Sequence, residues 1–239
     1  MQIQDSVALV TGANRGIGAE FVRQLRARGA RTVYAAARDA SSIEAAPGVE
    51  PIALDVTDPD RIAELAATLG DVSIVVNNAG IAPTVDFVTG DLAEIRRTVE
   101  TNAFGPLMIA RAFAGSLARA GGGALIDVLS VSSFVAFPGS ESYSMSKAAA
   151  WSVTDGLRLA LASQGTQVLG LHMGLVDTDM ASWSDAEKST PEAIVTAALD
   201  GLERGATEVL ADDTARSVKP GLALDPADRY ADLLAGLRA

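Results

Sequence analysis

The chain has 239 residues, no cysteine and one histidine, and its 19 Lys and Arg face 30 Asp and Glu for a formal net charge of −11. Disulfides, cysteine-held metals and His-rich metal centres are excluded by count, and the acidity argues against nucleic acid and anionic membrane surfaces as partners. No apolar run approaches the roughly 18 residues of a membrane span, and MQIQDSVALVTG lacks the features of a secretory leader, so a soluble cytoplasmic protein is expected.

Short β-branched runs alternate with longer segments of helical period, the pattern of βαβ units building a parallel sheet. Val7 to Val10 reads as the first strand. A glycine-rich turn follows, and Ile17 to Arg28 carries Ile17, Phe21, Val22 and Leu25 at helical spacing before Gly29 stops it. Arg31 to Ala37 and Pro51 to Leu54 read as the second and third strands. Thr57-Asp58-Pro59 forms a helix start ahead of Ile62, Leu65, Ala66 and Leu69. Val72 to Val76 is a buried fourth strand, and a long helical region covers about Asp91 to Arg119. Gly121-Gly122-Gly123 breaks that region, and Ala124 to Leu129 is the fifth strand. Tyr143 to Ser163 is a long Ala-rich helix, Val168 to His172 the sixth strand, Pro191 to Arg204 a helix and Thr207 to Leu210 a short last strand. One doubly wound α/β domain accounts for the whole chain, and ligands of such sheets bind beyond the carboxyl ends of the strands.

Three segments at those ends carry chemistry. Thr11-Gly12-Ala13-Asn14-Arg15-Gly16-Ile17-Gly18 follows the first strand, and its glycines let the backbone approach a pyrophosphate that then faces the free N–H groups of the next helix. Asn77-Asn78-Ala79-Gly80, after the fourth strand, lets a ligand lie against the backbone. Tyr143-Ser144-Met145-Ser146-Lys147 sits at a helix start, where the i, i+4 spacing stacks phenol and ammonium on one face. A nearby ammonium favours phenolate and lowers a tyrosine pKa from about 10, which suits the group to acid–base work. The opening residues hold a further clue: the first 40 carry six Arg against three acids on an otherwise acidic chain. Of these, only Arg15 and Arg38 fall at strand carboxyl ends.

The order of these segments, with Ser130 thirteen positions before Tyr143, resembles the short-chain dehydrogenase/reductase family from Val7 to about Leu210. The resemblance implies a single Rossmann-type domain over residues 1–239, with a seven-stranded parallel sheet flanked by helices. It also implies a catalytic set of Asn102, Ser130, Tyr143 and Lys147, in which a local helix distortion at Asn102 holds a water in a proton relay to Lys147. Ser132 and Ser133 lie close to Ser130, so the choice among them rests on spacing. The implied reaction is hydride transfer between a nicotinamide and a ketone, aldehyde or secondary alcohol, with Tyr143 as general acid/base. A non-catalytic NADP(H)-binding sensor or scaffold, or an enzyme acting on C=N or C=C bonds or by epimerisation, is the alternative. The cofactor would contact Gly12, Asn14, Arg15, Gly16, Ile17, Gly18, Arg38, Asp55, Val56, Asn78, Ala79, Gly80, Tyr143, Lys147, Val176 and Thr178. Alanines stand where an NAD-binding acid belongs at the end of the second strand, and Arg15 and Arg38 suit the 2′-phosphate of NADP(H), so NADP(H) is expected over NAD. Asp39 is the countersignal, unless it serves the next short helix. Asp55 either meets the adenine or merely begins a turn.

Met173 replaces a proline usual in the family after the sixth strand. His172 reads as a packing residue, and Asp177 and Asp179 as solvated loop acids, so no metal is expected. Segments Ile81 to Val85, Ser132 to Ser142 and Met180 to Pro191 are expected to line a fairly open substrate pocket with a modest lid. Phe134, Phe137 and Trp183 favour an apolar small-molecule substrate unless they pack against the domain. A homodimer or homotetramer is implied, with Ala148, Ala149 and Ala150 beside Trp151 at the interface or, alternatively, in the core.

Overall fold

The computed structural model describes residues 1–238, except for the side chain of residue 238. Seven strands form one parallel sheet: β1 (Val7–Thr11), β2 (Thr32–Ala37), β3 (Val49–Ala53), β4 (Ile74–Asn77), β5 (Ala124–Val128), β6 (Gln167–His172) and β7 (Glu208–Leu210), in the spatial order β3-β2-β1-β4-β5-β6-β7. Successive side chains of a strand point to opposite faces, and both faces are covered. Ala8, Val10, Ile74 and Val76 pack under α1 (Gly16–Ala27) and α6 (Pro191–Glu203), against Phe21, Leu25, Ile194 and Leu199. Val7, Leu9, Val75 and Leu125 pack on the other side with Ile62 of α2 (Pro59–Thr68), Ile109 and Phe113 of α4 (Gly105–Arg119), and Leu157 of α5 (Glu141–Ala160). Alternate residues thus feed two separate apolar layers, which is why the strands read as near-continuous hydrophobic runs.

The doubly wound α/β reading holds, with local corrections. β3 begins at Val49, ahead of Pro51, because an edge strand has an unpaired side on which a missing N–H costs nothing. β4 is shifted to Ile74–Asn77, since Val72 still belongs to the preceding turn, where its N–H meets the Leu69 carbonyl. The region from Asp91 to Arg119 comprises α3 (Leu92–Val99), a π turn at Glu100–Phe104 and α4. α5 stops at Ala160; a short 3₁₀ turn and Gly165, at φ 75°, carry the chain into β6. Beyond β7 lie α7 (Asp213–Val218), α8 (Pro226–Arg229) and α9 (Ala231–Arg238), which the sequence reading did not anticipate. Asp212 starts α7 by accepting the Ala215 N–H at 2.8 Å. Among the described residues no helix is long and apolar enough to cross a membrane.

Candidate active site

The carboxyl ends of β1 to β6 open into one cavity of about 1490 Å³. That exceeds the roughly 300–1,000 Å³ of common small-molecule pockets and has room for two ligands side by side. At one end lies the glycine loop. Gly12 and Gly16 sit at φ 63° and 54°, a region other residues rarely adopt. Gly18 is sterically constrained: a Cβ there would lie 2.0 Å from the Gly12 carbonyl oxygen and 2.5 Å from Asn78 Nδ2. Asn78 braces the loop, donating from Nδ2 to the Thr11 and Gly12 carbonyls at 2.9 and 3.0 Å. Thr11 Oγ1 answers by accepting the N–H groups of Asn78 and Ala79. The sequence reading made Asn78 a cofactor contact; the structure shows it also bracing the end of β1 from the end of β4. Arg15 precedes α1 without any side-chain cap, so the first-turn N–H groups stay free to meet an anion.

Arg38 is exposed at the end of β2, lines the cavity and forms no ion pair among the described residues. Asp39, beside it, is engaged in starting a 3₁₀ turn, accepting Ser41 N and Oγ at 2.9 and 2.7 Å, and these bonds hold it below the usual carboxylate range. Asp55 is bound in the same way by Thr57, the Oγ at 2.7 Å and the N–H at 2.9 Å, with the Arg38 charge adding a smaller pull. Asp179 is a solvated loop acid, its side chain 74% exposed, but it is also paired. Its Oδ2 accepts from Arg15 Nη1 at 2.9 Å, linking the glycine loop to the segment after β6. That segment, from Asp177 onward, leaves and returns to the fold at one place, with Asp177 N on the Ser189 carbonyl and Ser189 N on the Leu175 carbonyl, both at 2.9 Å.

At the other end Ser130, Tyr143 and Lys147 line the cavity wall. Ser130 lies two residues past β5 and caps the next turn, its Oγ accepting the Ser132 N–H at 3.1 Å. Tyr143 exposes part of its surface, but desolvation around the hydroxyl pushes its pKa up to about 12, against a smaller opposite pull from the Ser130 hydroxyl. This corrects the expectation that Lys147 makes the phenol acidic. Lys147 Nζ lies 5.7 Å from the Tyr143 ring centroid and donates instead to the Val128 carbonyl at 2.7 Å. Burial lowers the ammonium itself to about 8, with the Asp127 charge opposing. Two neighbouring hydroxyls, one firmly protonated, suit an oxygen that gains negative charge and needs a proton.

Asn102 stands apart from the cavity wall. It is buried within the π turn, where Oδ1 accepts the Ile81 N–H at 2.9 Å and Nδ2 donates to the Ile81 carbonyl and Ser146 Oγ at 2.8 and 2.9 Å. The other predicted contacts, Gly12, Asn14, Arg15, Gly16, Ile17, Gly18, Arg38, Asp55, Val56, Asn78, Ala79, Gly80, Val176 and Thr178, all line it.

The apolar residues divide. Phe137 and Trp183, the latter 78% exposed, line the cavity. Phe134 does not: it stacks on His172 at 4.3 Å between centroids and meets Trp151 edge-on at 5.0 Å. His172 is fully buried in that cluster, its Nδ1 on the Ser130 carbonyl at 3.2 Å, and burial lowers its pKa to about 4. It therefore packs as a neutral ring and helps place Ser130. The Trp151 ring is turned into this same cluster. Two supports came without a local sequence signal. Tyr230 Oη accepts the Ala136 N–H at 3.0 Å, and Asp212 Oδ2 accepts the Gly174 N–H at 2.8 Å. Both are contacts from the unanticipated C-terminal region onto loops that border the cavity.

The sequence profile of a family described as short chain dehydrogenase matches residues 6–189. An uncharacterized oxidoreductase of Staphylococcus saprophyticus is 31% identical over 219 residues, covering 85% of this chain and 94% of its own. Among solved structures, a short chain dehydrogenase from Burkholderia cenocepacia in complex with NADP superposes with a TM-score of 0.93 at 38% identity, covering 98% of this chain and 99% of the other. A short-chain dehydrogenase from Sphingobium yanoikuyae in complex with NADPH gives 0.77 at 27%, covering 98% and 93%.

Proposed function

The chain belongs to the short-chain dehydrogenase family, and on that premise we propose that it is an NADP(H)-dependent oxidoreductase of a neutral ketone or aldehyde and the matching secondary or primary alcohol. The observation that carries this reading is that the glycine cradle at Gly12, Gly16 and Gly18 and the Ser130, Tyr143 and Lys147 group face the same 1490 Å³ cavity. The fit to a dinucleotide rests on the uncapped start of α1 and on positions where a Cβ would collide with backbone. Bound there, NADPH would supply a hydride to a carbonyl carbon.

The residues of the chain do the rest. Gly12, Asn14, Gly16, Ile17 and Gly18 would hold the pyrophosphate, Asp55 and Val56 the adenine end, Asn78, Ala79 and Gly80 the floor, and Val176 and Thr178 the carboxamide, all of them lining the cavity. Ser130 Oγ holds the substrate oxygen, and Tyr143 Oη gives it a proton as negative charge develops. A phenol near 12 is the proton-bearing form at neutral pH, which suits reduction. Lys147 stands behind Tyr143 and replaces its proton, while the π turn at Asn102 opens the backbone to a water in that relay. The apolar Phe137 and Trp183 favour an apolar substrate body. The family's long helices suggest assembly as a homodimer or homotetramer.

Preference for NADP(H) follows from Arg38, unpaired beside an Asp39 already held by Ser41, and from the NADP and NADPH bound by the two solved relatives. Arg15 serves the same phosphate once released from Asp179. That pair is 70% and 74% exposed, so parting it costs at most about 1 kcal/mol. Arg38→Ala is expected to weaken NADPH binding about 10- to 100-fold and leave NADH unchanged, a charge-assisted contact to phosphate being worth about 1.5–3 kcal/mol. Paired fluorescence titrations with NADPH and NADH check it; equal weakening of both would remove Arg38 from the phosphate site. The whole reading is tested by turnover of a carbonyl and alcohol panel with each cofactor.

A further inference from the structure

A buried acid lies just behind the Tyr143–Lys147 pair. Asp127 is the fourth residue of β5 and is 2% exposed. Both its oxygens are held: Oδ1 accepts from Asn77 Nδ2 at 2.8 Å, and Oδ2 from Thr154 Oγ1 at 2.7 Å. Thr154 and Lys147 are seven residues apart on α5, two turns along one helix face. That face grips two successive residues of β5, through Thr154 on the Asp127 carboxylate and through Lys147 on the Val128 carbonyl. Lys147, itself 5% exposed, makes no direct ion pair among the described residues. The charged and titratable groups around it are Tyr143 on its own helix, Asp127 on β5, His172 on β6 and, near Asp127, Arg158 further along α5. His172 is neutral near pH 7, so Asp127 is the acid that acts on the ammonium.

Isolated buried charges are costly, and an opposite charge nearby offsets part of that cost. We propose that the Asp127 carboxylate is the buried counter-ion of Lys147, and so a positioning residue for the Tyr143–Lys147 pair. Burial raises the Asp127 carboxyl above the usual carboxylate range, and Asn77, Thr154 and the Lys147 and Arg158 charges offset that rise in part. The role in turnover rests on the oxidoreductase reading; the counter-ion relation does not.

Asp127→Asn isolates the charge. Its amide oxygen can still accept from Asn77, and its N–H can donate to Thr154 Oγ1, whose hydroxyl already lies 2.9 Å from the Ala150 carbonyl as an alternative acceptor. The test is a pH titration of the Lys147 side chain by carbon NMR of the intact protein, with Lys147→Met used for assignment. In the wild-type protein the ammonium should titrate near 8. In Asp127→Asn it is expected to lose its proton at least about one pH unit lower, the usual scale for a nearby opposite charge. Thr154→Val, which weakens the hold on the carboxylate, is expected to move it the same way by less, and decides the matter if Asp127→Asn does not fold. The alkaline limb of kcat/KM should follow the titration. Identical Lys147 titrations in wild type and variant would overturn the proposal. A displaced titration in a protein that turns over no carbonyl or alcohol would leave the counter-ion standing and remove only the oxidoreductase reading.

Discussion

Tyr143→Phe is expected to lower kcat about 10²- to 10⁴-fold while the dissociation constant for NADPH stays within about twofold, the range general acid catalysis commonly contributes. The substitution removes one oxygen and keeps the ring. The fold does not depend on that oxygen, because the polar neighbour acting on it is the Ser130 hydroxyl, whose Oγ keeps its bond from the Ser132 N–H. What is lost is the proton donor. A hydroxyl held near 12 carries its proton across the physiological range, so its loss cannot be disguised by a change of buffer. Steady-state kinetics with the best carbonyl substrate, alongside a binding titration, separate the two effects. Unchanged turnover in the variant would mean that another group supplies the proton.

The second large effect lies at the other end of the cavity. Gly18→Ala puts a methyl group 2.0 Å from the Gly12 carbonyl oxygen, and a backbone atom cannot turn aside as a side-chain tip can. The β1–α1 turn must shift, which also strains the Asn78 brace. Overpacking of this kind costs about 1–3 kcal/mol, and each kcal/mol lowers Tm by about 2–4 °C in a chain of this size. NADPH affinity is expected to fall about 5- to 150-fold, the equivalent of that strain falling on the cofactor cradle. Gly139→Ala is the control: unlike Gly18, which lies within α1, Gly139 has positive φ, at 77°, so the substitution brings backbone strain without a clash, a Cβ there meeting nothing within 4 Å. It should lose a little stability and no cofactor affinity. An equal loss of affinity in both variants would mean that the clash in the packed turn does not account for the result.

Much of this architecture is legible in the chain. β1, β4 and β5 are buried on both faces and so are written as apolar β-branched runs, and Gly12, Gly16 and Gly18 mark a turn that larger residues cannot make. The Tyr143 and Lys147 spacing places both side chains on one face of α5. Features set by distant contacts are not legible. The Arg15–Asp179 pair joins residues 164 positions apart, and nothing local distinguishes Asp179 from Asp177. Phe134 reads equally as a pocket or a packing residue, because only the folded chain brings His172 and Trp151 to its ring. Likewise, the i, i+4 rule puts an ammonium near Tyr143 but says nothing of desolvation, which prevails. Asp127 lies in plain view inside a strand motif, and its part emerges only once α5 is laid across β5.

Under the proposed function, one cavity would hold NADPH at the glycine turn with its hydride directed to a carbonyl carbon beside Tyr143. The direct measurement uses NADPH deuterated at the transferable position, mixed with the purified protein and a panel of neutral apolar ketones and aldehydes, with mass analysis of the products. Deuterium is expected on the carbinol carbon of at least one product, and at least about 100-fold less of it from the Tyr143→Phe protein at matched times. NADPH that binds tightly yet stays intact with every carbonyl, and NADP that stays intact with every matching alcohol, would contradict it.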